Sequence, residues 1–263
     1  MVVVMIDTHA HLDAEEFAPD RDDVLTRSRQ AGVEAIVCPG ITVDSSRAAV
    51  ALAEAHAEVY AAVGIQPNYT AQAAAGDWEW IVRLAAHPRV KAVGETGLDR
   101  HWDFAPIEVQ RDSFDRHLRL AQDRHLPVII HCRDAEADLM PMLRRAAAQG
   151  PLSGVLHAFS GDRAMAQQCL GLGLYVSFAG AVTYTNKKFD SLRAVAAEVP
   201  ADRLLIETDS PYLTPHPLRN KQKRNEPANV ALTLQALAEL RRCTPEDLAA
   251  QTTANARRLF RLA

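Results

Sequence analysis

Short apolar runs alternate with longer stretches of helical periodicity along the chain. Eight of the runs have the length and the Val, Ile, Leu and Ala content of buried strands, and a helical stretch follows each of them. We predict strands at residues 2–6, 35–38, 59–63, 90–93, 128–130, 155–156, 174–178 and 204–206. We predict helices near residues 21–31, 45–57, 77–86, 106–124, 135–148, 163–170, 189–198, 228–242 and 245–259. This alternation favours an α/β protein with a parallel sheet.

The length of the chain selects among the parallel-sheet folds. The 263 residues, 48% of them hydrophobic, are enough for one large core. Eight strand–helix units at this length favour a closed (β/α)₈ TIM barrel, which we expect to form a single domain over residues 1–263. An open doubly wound sheet is disfavoured because it would need a dinucleotide fingerprint, and the chain has no G-x-G-x-x-G.

Charge and cysteine content narrow the classes of partner. The formal net charge of −4 gives no global basic field, so a site for a polyanion would have to be local. The four cysteines are widely spaced without a C-x-x-C pair, which is typical of reduced thiols, and we expect a cytoplasmic protein. The first apolar run lacks a basic leader and is followed at once by histidines, unlike a signal peptide. No stretch approaches the roughly 20 apolar residues that span a bilayer, so we expect no membrane contact.

Imidazoles and carboxylates follow the ends of five predicted strands. His9 and His11 are two residues apart, so in an extended chain both project from one face, where they can hold a metal ion. A barrel brings the carboxyl ends of its strands to one rim. Unpaired, these groups would be costly there, and they outnumber the ligands of one tetrahedral ion, so we expect two divalent ions sharing a carboxylate. The candidate ligands are His9, His11, Glu95, His131, His157 and Asp209.

Six motifs, in order along the chain, resemble those of the TatD family of metal-dependent deoxyribonucleases in the amidohydrolase superfamily. They are T-H-A-H-L-D at 8–13, G-E-T-G-L-D at 94–99, P-V-I-I-H-C-R at 127–133, H-A-F-S-G at 157–161, E-T-D-S-P at 207–211 and R-N-E-P at 224–227. The resemblance extends from residue 5 to about residue 260. It implies that His9, His11 and Asp209 bind one metal ion, that His131 and His157 bind the second, and that Glu95 bridges the two.

The resemblance also implies an activity. The expected reaction is hydrolysis of DNA phosphodiester bonds, as a 3′-5′ exonuclease with weak sequence preference acting on single strands or 3′ ends. A metal-activated water is the nucleophile, and Asp209 and Glu95 are the catalytic residues, with Asp209 accepting the proton. Four imidazoles favour Zn, Mn, Co or Fe over Mg, whereas the family is usually described as magnesium-dependent, so the choice of ion, with Mg, Mn, Zn and Co as the main candidates, stays open.

Two other functions stay open. The same metal ligands suit an ester or amide hydrolase, for example a D-aminoacyl-tRNA deacylase, because they do not separate a tetrahedral carbon from a pentacovalent phosphorus. A barrel that has lost catalysis and acts as a binding scaffold is a second alternative, against which the complete set of ligands argues. The oligomeric state is also left open by the sequence.

Substrate contacts are predicted at three places around the rim. After the third strand the family commonly has G-I-H-P-H, whereas this chain has G-I-Q-P-N at 64–68; Gln66 can donate a hydrogen bond but cannot shuttle a proton. Arg133, just after His131, is a candidate phosphate contact. Loops after strands 7 and 8 are frequent phosphate sites in this fold. The basic loop after strand 8 contributes Arg219, Lys221, Lys223 and Arg224, and Lys187 and Lys188 lie near strand 7.

Several other polar residues have two interpretations. Glu207 shares a face with Asp209 one layer deeper, and either orients a group of the site or forms a structural ion pair. His101 and Trp102 either line the pocket or lie outside it. The histidines in helical stretches are predicted to have solvent-facing or structural roles; they are His56, His87, His117 and His125.

Overall fold

Eight parallel strands form the centre of the molecule in a computed structural model, which describes residues 3–262. They pair in the order β1 to β8, each parallel to the next. The strands are β1 (Met5–Asp7), β2 (Val33–Pro39), β3 (Val59–Val63), β4 (Val90–Asp99), β5 (Val128–Arg133), β6 (Gly154–Leu156), β7 (Tyr175–Phe178) and β8 (Leu204–Ile206).

Helices follow the strands in the order that the sequence pattern predicts. One helix follows each of β1 to β7, and two follow β8. The helices are α1 (Arg21–Gln30), α2 (Val43–Ala55), α3 (Asp77–Leu84), α4 (Ile107–Arg124), α5 (Glu136–Gln149), α6 (Arg163–Gly171), α7 (Asp190–Glu198), α8 (Val230–Arg241) and α9 (Pro245–Phe260). Within residues 3–262, none of them combines the length and the apolar character that crossing a membrane requires.

Backbone hydrogen bonds between the segments that carry β1 and β8 close the sheet into a barrel. The N–H of Thr8 donates to the carbonyl of Ile206 over 3.2 Å, and the N–H of His11 donates to the carbonyl of Ser210 over 2.8 Å. The N–H of Asp209 donates to the carbonyl of His9 over 2.8 Å. The structure is therefore the (β/α)₈ barrel that the sequence predicts, and its closure places Asp209 beside the two histidines that follow β1.

Two apolar clusters stabilise the barrel. The larger lies between the sheet and the surrounding helices, and the smaller fills the interior of the barrel together with residues of α9. Helix α9 lies at the amino ends of the strands. Thr253 Oγ1 donates to the carbonyl of Val4, just before β1, and the Asn255 side chain donates to the carbonyl of Leu204, the first residue of β8. The interior cluster comprises Ile6, Ala35, Val37, Ala62, Ala92, Ile129, Val155, Tyr175 and Leu205, with Ala256, Leu259 and Phe260 from α9.

Strands β4 and β5 extend well beyond the carboxyl ends that the sequence pattern predicts. Strand β4 continues through the second motif to Asp99, and β5 continues to Arg133, because these two strands stay paired up to Asp99 and Arg133. The prediction ended β4 at residue 93, where glycines interrupt the apolar run. Glu95 therefore lies within β4, at an irregularity of its pairing with β5. At the start of the chain, the predicted strand begins at Val2, which lies outside the described residues.

Candidate metal centre

The barrel brings all six predicted ligands together at the carboxyl ends of its strands. Each comes from a different position along the chain, and all are buried or nearly so. Sorted by the Glu95 oxygen that the histidines face, the ligands form two groups that share Glu95, and the rings of His9 and His157 stack between the groups at a centroid distance of 3.9 Å. His9 and His11 follow β1, Glu95 lies in β4, His131 in β5, and His157 and Asp209 follow β6 and β8.

The first group contains the two histidines that follow β1. The Nε2 atoms of His9 and His11 are 3.2 Å apart, and Asp209 Oδ1 lies 3.6 Å from each. Glu95 Oε2 lies 3.2 Å from His9 Nε2 and 3.5 Å from His11 Nε2. Two nitrogens and two carboxylate oxygens thus face a common point.

The second group uses the other oxygen of the same glutamate. Glu95 Oε1 lies 2.9 Å from His131 Nδ1 and 3.2 Å from His157 Nε2. These two nitrogens are 3.4 Å apart. The carboxylate of Glu95 therefore stands between two sets of imidazoles and turns one oxygen towards each.

These separations fit the donor set of a divalent metal ion. Ligand bonds of about 2.0–2.2 Å in a tetrahedral site place neighbouring ligand atoms about 3.3–3.6 Å apart. The quoted separations between imidazole nitrogens and carboxylate oxygens in the two groups run from 2.9 to 3.6 Å. Ligand atoms at this spacing need little rearrangement to bind an ion, so the residues present fit a metal centre.

Buried opposite charges set the protonation of the cluster. Burial raises the pKa of Glu95, but the charge of His157 and hydrogen bonds with His131 and His157 outweigh it and hold that pKa well below the usual value. Burial lowers the pKa of His11, yet the hydrogen bond with Asp209 and the charge of Glu95 raise it to about 9. Burial and the neighbouring His157 lower the pKa of His9. The ionised carboxylates thus stabilise positive charge at this site. A bound dication would supply that charge in place of the imidazole protons.

Asp99 orients a histidine of the second group. Its Oδ2 accepts hydrogen bonds from His131 Nε2 over 3.0 Å and from the Asn68 side chain over 3.1 Å. Its Oδ1 accepts from the backbone N–H groups of His101 and Trp102 over 2.8 and 3.1 Å. Burial raises the pKa of Asp99, but the bond from His131 and the one from Trp102 lower it to about 2. A carboxylate that holds the outer nitrogen of a ligand histidine fixes the ring and its tautomer.

Sequence reasoning did not assign Asp99 a role. The available signal was its place at the end of the G-E-T-G-L-D motif, the same motif that supplies Glu95. If the predicted strand had been extended to residue 99, its pairing with β5 would have placed Asp99 opposite Arg133, which is two residues after His131.

Buried carboxylates also support the ligands of β6 and β8. Glu207 is fully buried; its Oε1 accepts from the N–H of Ala158 over 2.5 Å and lies 3.5 Å from His157 Nδ1. Of the two interpretations of Glu207, these contacts favour the one in which it orients a group of the site, here the segment that carries His157.

Asp7 accepts hydrogen bonds from the N–H and the hydroxyl of Thr208 over 2.9 and 2.6 Å, and burial raises the pKa of Asp7 to about 8. Asp7 and Glu207 both fix the segment that carries Asp209, whose φ of 53° is a left-handed conformation that Asp tolerates.

A cleft of about 1900 Å³ opens over the two groups of ligands. Gln66 and Arg133, both predicted to bind substrate, line it, and Lys188 also reaches it. Trp102 also lines the cleft, so of its two interpretations the one that places it in the pocket is correct. Phe104 and Tyr212 line the cleft as well, and sequence reasoning missed both.

The basic loop after β8 lies apart from this cleft. Within residues 3–262, the cleft walls include none of the four basic residues predicted there. The Arg224 guanidinium is paired with Asp20 over 2.6 and 2.8 Å, and it also donates to the carbonyl of Glu16, so it stabilises the loop. The Arg219 guanidinium lies 3.9 Å from the centre of the Tyr184 ring. A substrate contact from Lys221 or Lys223 stays a prediction.

One helical histidine has a structural role, as predicted. His117 is fully buried, accepts the N–H of Ile65 at Nε2 over 3.0 Å, and has its Nδ1 2.7 Å from the carbonyl of Ser113. It thereby joins α4 to the segment that carries Gln66. Burial lowers the pKa of His117 to about 4, so this bond to the backbone is made by the neutral ring.

A (β/α)₈ barrel with four imidazoles and two carboxylates converging at the carboxyl ends of its strands defines the class of metal-dependent hydrolases. Comparison with known proteins agrees with this class. The sequence profile of a family described as TatD related DNase matches residues 6–261. The chain belongs to this family.

Similar proteins cover the chain almost completely. The metal-dependent hydrolase YabD of Bacillus subtilis is 41% identical over 259 residues, spanning 98% of this chain and 100% of YabD. The 3′-5′ ssDNA/RNA exonuclease TatD of Escherichia coli K12 is 38% identical over 261 residues, again 98% of this chain and 100% of the relative. The crystal structure of YJJV, a TatD homologue of the same organism, superposes with a TM-score of 0.92 at 32% identity over the full length of both chains.

Proposed function

We propose that the protein is a metal-dependent 3′-5′ exonuclease that hydrolyses phosphodiester bonds of single-stranded DNA. The observation that carries the proposal is the position of Glu95, whose two oxygens face two separate sets of imidazoles at the base of an open cleft. Support for the substrate class comes from the E. coli relative named as a 3′-5′ ssDNA/RNA exonuclease.

Two divalent ions would be held by the six ligands. His9, His11 and Asp209 would bind one, His131 and His157 the other, and Glu95 both. The nitrogen-rich donor set favours Mn, Zn or Co, while Mg prefers oxygen ligands and keeps its waters. When bound, such ions lower the pKa of a water molecule and neutralise charge on a phosphoryl group.

Asp209 is the residue best placed to move a proton. Its side chain is 14% exposed against 4% for Glu95, so Asp209 faces the cleft whereas Glu95 lies beneath it. Burial raises the pKa of Asp209, but the hydrogen bond with His11 and the charge of His9 lower that pKa by more. The net effect is a lowered pKa, so the carboxylate is ionised at neutral pH. In the proposed reaction it accepts the proton of the attacking water and returns it to the leaving oxygen.

The residues that line the cleft supply the remaining contacts in this proposal. Arg133 is an exposed cation beside the ligand-bearing end of β5, where a non-bridging phosphate oxygen would find a charged hydrogen-bond donor. Gln66 is held by its own backbone turn, in which its Oε1 accepts the N–H of Asn68 over 2.8 Å. Its amide nitrogen remains a donor for the substrate but not an acid.

The test is an activity screen on protein stripped of metal and reloaded with Mg, Mn, Zn or Co. The substrates are single-stranded DNA labelled at its 5′ end, duplex DNA, RNA and an aminoacyl-tRNA. We expect a ladder of products shortened from the 3′ end, abolished by chelation and reduced on the order of 10²-fold or more in kcat by Asp209→Asn. Faster release of an amino acid than of nucleotides would instead assign the centre to ester hydrolysis. Cleavage that survives Asp209→Asn unchanged would remove its role as the base.

A further inference from the structure

Exposed aromatic side chains are concentrated at the cleft. Among residues 3–262, four large aromatic residues are at least 38% exposed, and three of them, Trp102, Phe104 and Tyr212, line the cleft; the fourth, Trp80, lies on α3 outside it. Single exposed apolar residues are common on protein surfaces, but a group of them at a binding cleft marks an interaction site.

Trp102 and Phe104 form a stacked pair. Their ring centroids are 5.5 Å apart at an interplanar angle of 15°, and the two side chains remain 46% and 59% exposed. Packing within the protein therefore leaves much of their ring surface open to solvent. The Arg133 guanidinium lies 5.7 Å from the Trp102 ring, which adds positive charge beside the aromatic surface.

Asp99 fixes this pair relative to the metal ligands. The N–H of Trp102 donates to Asp99 Oδ1, while Asp99 Oδ2 accepts from His131 Nε2. The His101 ring packs edge-on against Trp102 at a centroid distance of 4.8 Å and is held by Asp134 over 3.1 Å. One carboxylate therefore holds both the backbone of Trp102 and a ligand of the candidate metal centre.

We infer that Trp102 and Phe104 are a platform on which an unpaired base of the substrate stacks, so that they select single-stranded polynucleotides. The inference rests on the proposed function and adds a specificity determinant to it. Open aromatic faces next to a guanidinium are how proteins hold single strands without reading their sequence. Bases in a duplex are already stacked on each other and paired, so they cannot use this platform without being displaced.

The test compares oligonucleotides that differ only in their bases. One single strand is complete, and the other carries abasic sugars at its last three 3′ positions with the same phosphates. Stacking contributes enough per base for the wild-type protein to prefer the complete strand by about 5- to 150-fold in kcat/KM. We expect Trp102→Ala/Phe104→Ala to reduce that preference to near unity, mainly through KM, and Trp102→Phe to keep most of it. Trp80→Ala is the matched control and should keep the whole preference.

Binding in the presence of EDTA, followed by fluorescence anisotropy of labelled strands, gives a readout without turnover and should show the same order. If the double variant does not fold, Phe104→Ala alone, at the more exposed position, should still lower the preference. A double variant that cleaves the complete strand and retains the wild-type preference would overturn the platform while leaving the nuclease intact. A wild-type protein that shortens neither strand would overturn the proposed function, and the platform with it.

Discussion

Glu95 is the residue on which both groups of ligands depend. Its oxygens lie 2.9–3.5 Å from one nitrogen of each of four histidines, and its side chain is only 4% exposed. The sequence was sufficient to select this residue, because a carboxylate in a family motif after an apolar run is a typical bridging ligand. The resemblance implied that Glu95 serves both sets of ligands, but not which oxygen faces which set, since that depends on the course of β4.

Replacing Glu95 therefore tests whether the two sets of ligands share it. Glu95→Gln keeps the shape but removes the negative charge, so we expect occupancy to fall from two ions to fewer than one per chain. Elemental analysis after dialysis against a metal buffer measures this. Glu58→Gln is the control, because Glu58 pairs with Arg29 outside the cleft and its substitution should leave the metal in place. Two ions retained by Glu95→Gln would show that it does not bridge.

His117 makes the stability of the protein depend on pH. Its pKa is about 4 in the folded state and about 6.5 in the unfolded chain, so between these values the unfolded state binds the extra proton. The free energy of unfolding should therefore fall as the pH is lowered from 6.5 to 4, by up to about 3 kcal/mol from this residue. His117→Gln cannot titrate, so its urea-unfolding free energy, measured with EDTA present, should decline less steeply. His56→Gln makes the same substitution at a partly exposed position and serves as the control.

At the scale of elements, strand β4 shows where sequence patterns stop being informative. The apolar run ends at Val93, and the glycines that follow are typical of a loop, yet β4 continues to Asp99. Gly97 has a φ of 143°, and a Cβ at that position would lie 2.0 Å from the carbonyl oxygen of His131. Close approach of two strands is a property of tertiary packing, so periodicity within one segment does not show it.

Gly97→Ala should disturb the second group of ligands through the backbone. The added methyl group overlaps with the strand that carries His131, and the conformation disfavours any side chain, so we expect a loss of stability of more than about 1 kcal/mol. Metal content should fall with it, since β5 must move. Gly171→Ala is matched to it, because a Cβ there meets nothing within 4 Å and φ lies outside the left-handed region. Equal melting temperatures and metal contents for the two variants would contradict this account of β4.

Two basic surfaces are candidates for phosphate contacts, and salt dependence distinguishes them. Arg133 and Lys188 line the cleft, whereas Lys221 and Lys223 lie on the loop outside it. Each phosphate contact on a single strand contributes about −0.7 to the slope of log K against log salt. We expect Arg133→Ala/Lys188→Ala to flatten the slope by roughly 1.4, and to do so by more than Lys221→Ala/Lys223→Ala, whose residues lie outside the cleft. The reverse order would assign the path of the strand to the loop.

At the scale of the whole molecule, helix α9 completes the barrel at the end opposite the ligands. The sequence predicts this helix and the number of strands, because both are properties of periodicity along the chain. It does not predict where α9 packs, since an apolar face has no signal for which end of the barrel it covers. The interior cluster that contains Phe260 also contains small side chains from the strands, including Ala35, Ala62 and Ala92.

Phe260→Ala should separate stability from activity. Removing a fully buried aromatic ring leaves a cavity and costs about 3–5 kcal/mol of the free energy of unfolding. The six ligands are at the other rim, so metal content and kcat below the melting temperature should stay near those of the wild type. Urea unfolding and elemental analysis of the same preparation measure both. A loss of metal in fully folded Phe260→Ala would show that the two ends are coupled.

The position of α9 also has a consequence for synthesis on the ribosome. A nascent chain contains all six ligands once residue 209 has been made, whereas Phe260, which closes the interior cluster, is made about 50 residues later. All six candidate ligands are therefore present in the chain while the opposite end of the barrel still lacks its final helix. A dication bound at this stage would hold β1, β4, β5, β6 and β8 together. Metal would then act as a folding cofactor during translation, before the protein meets any substrate.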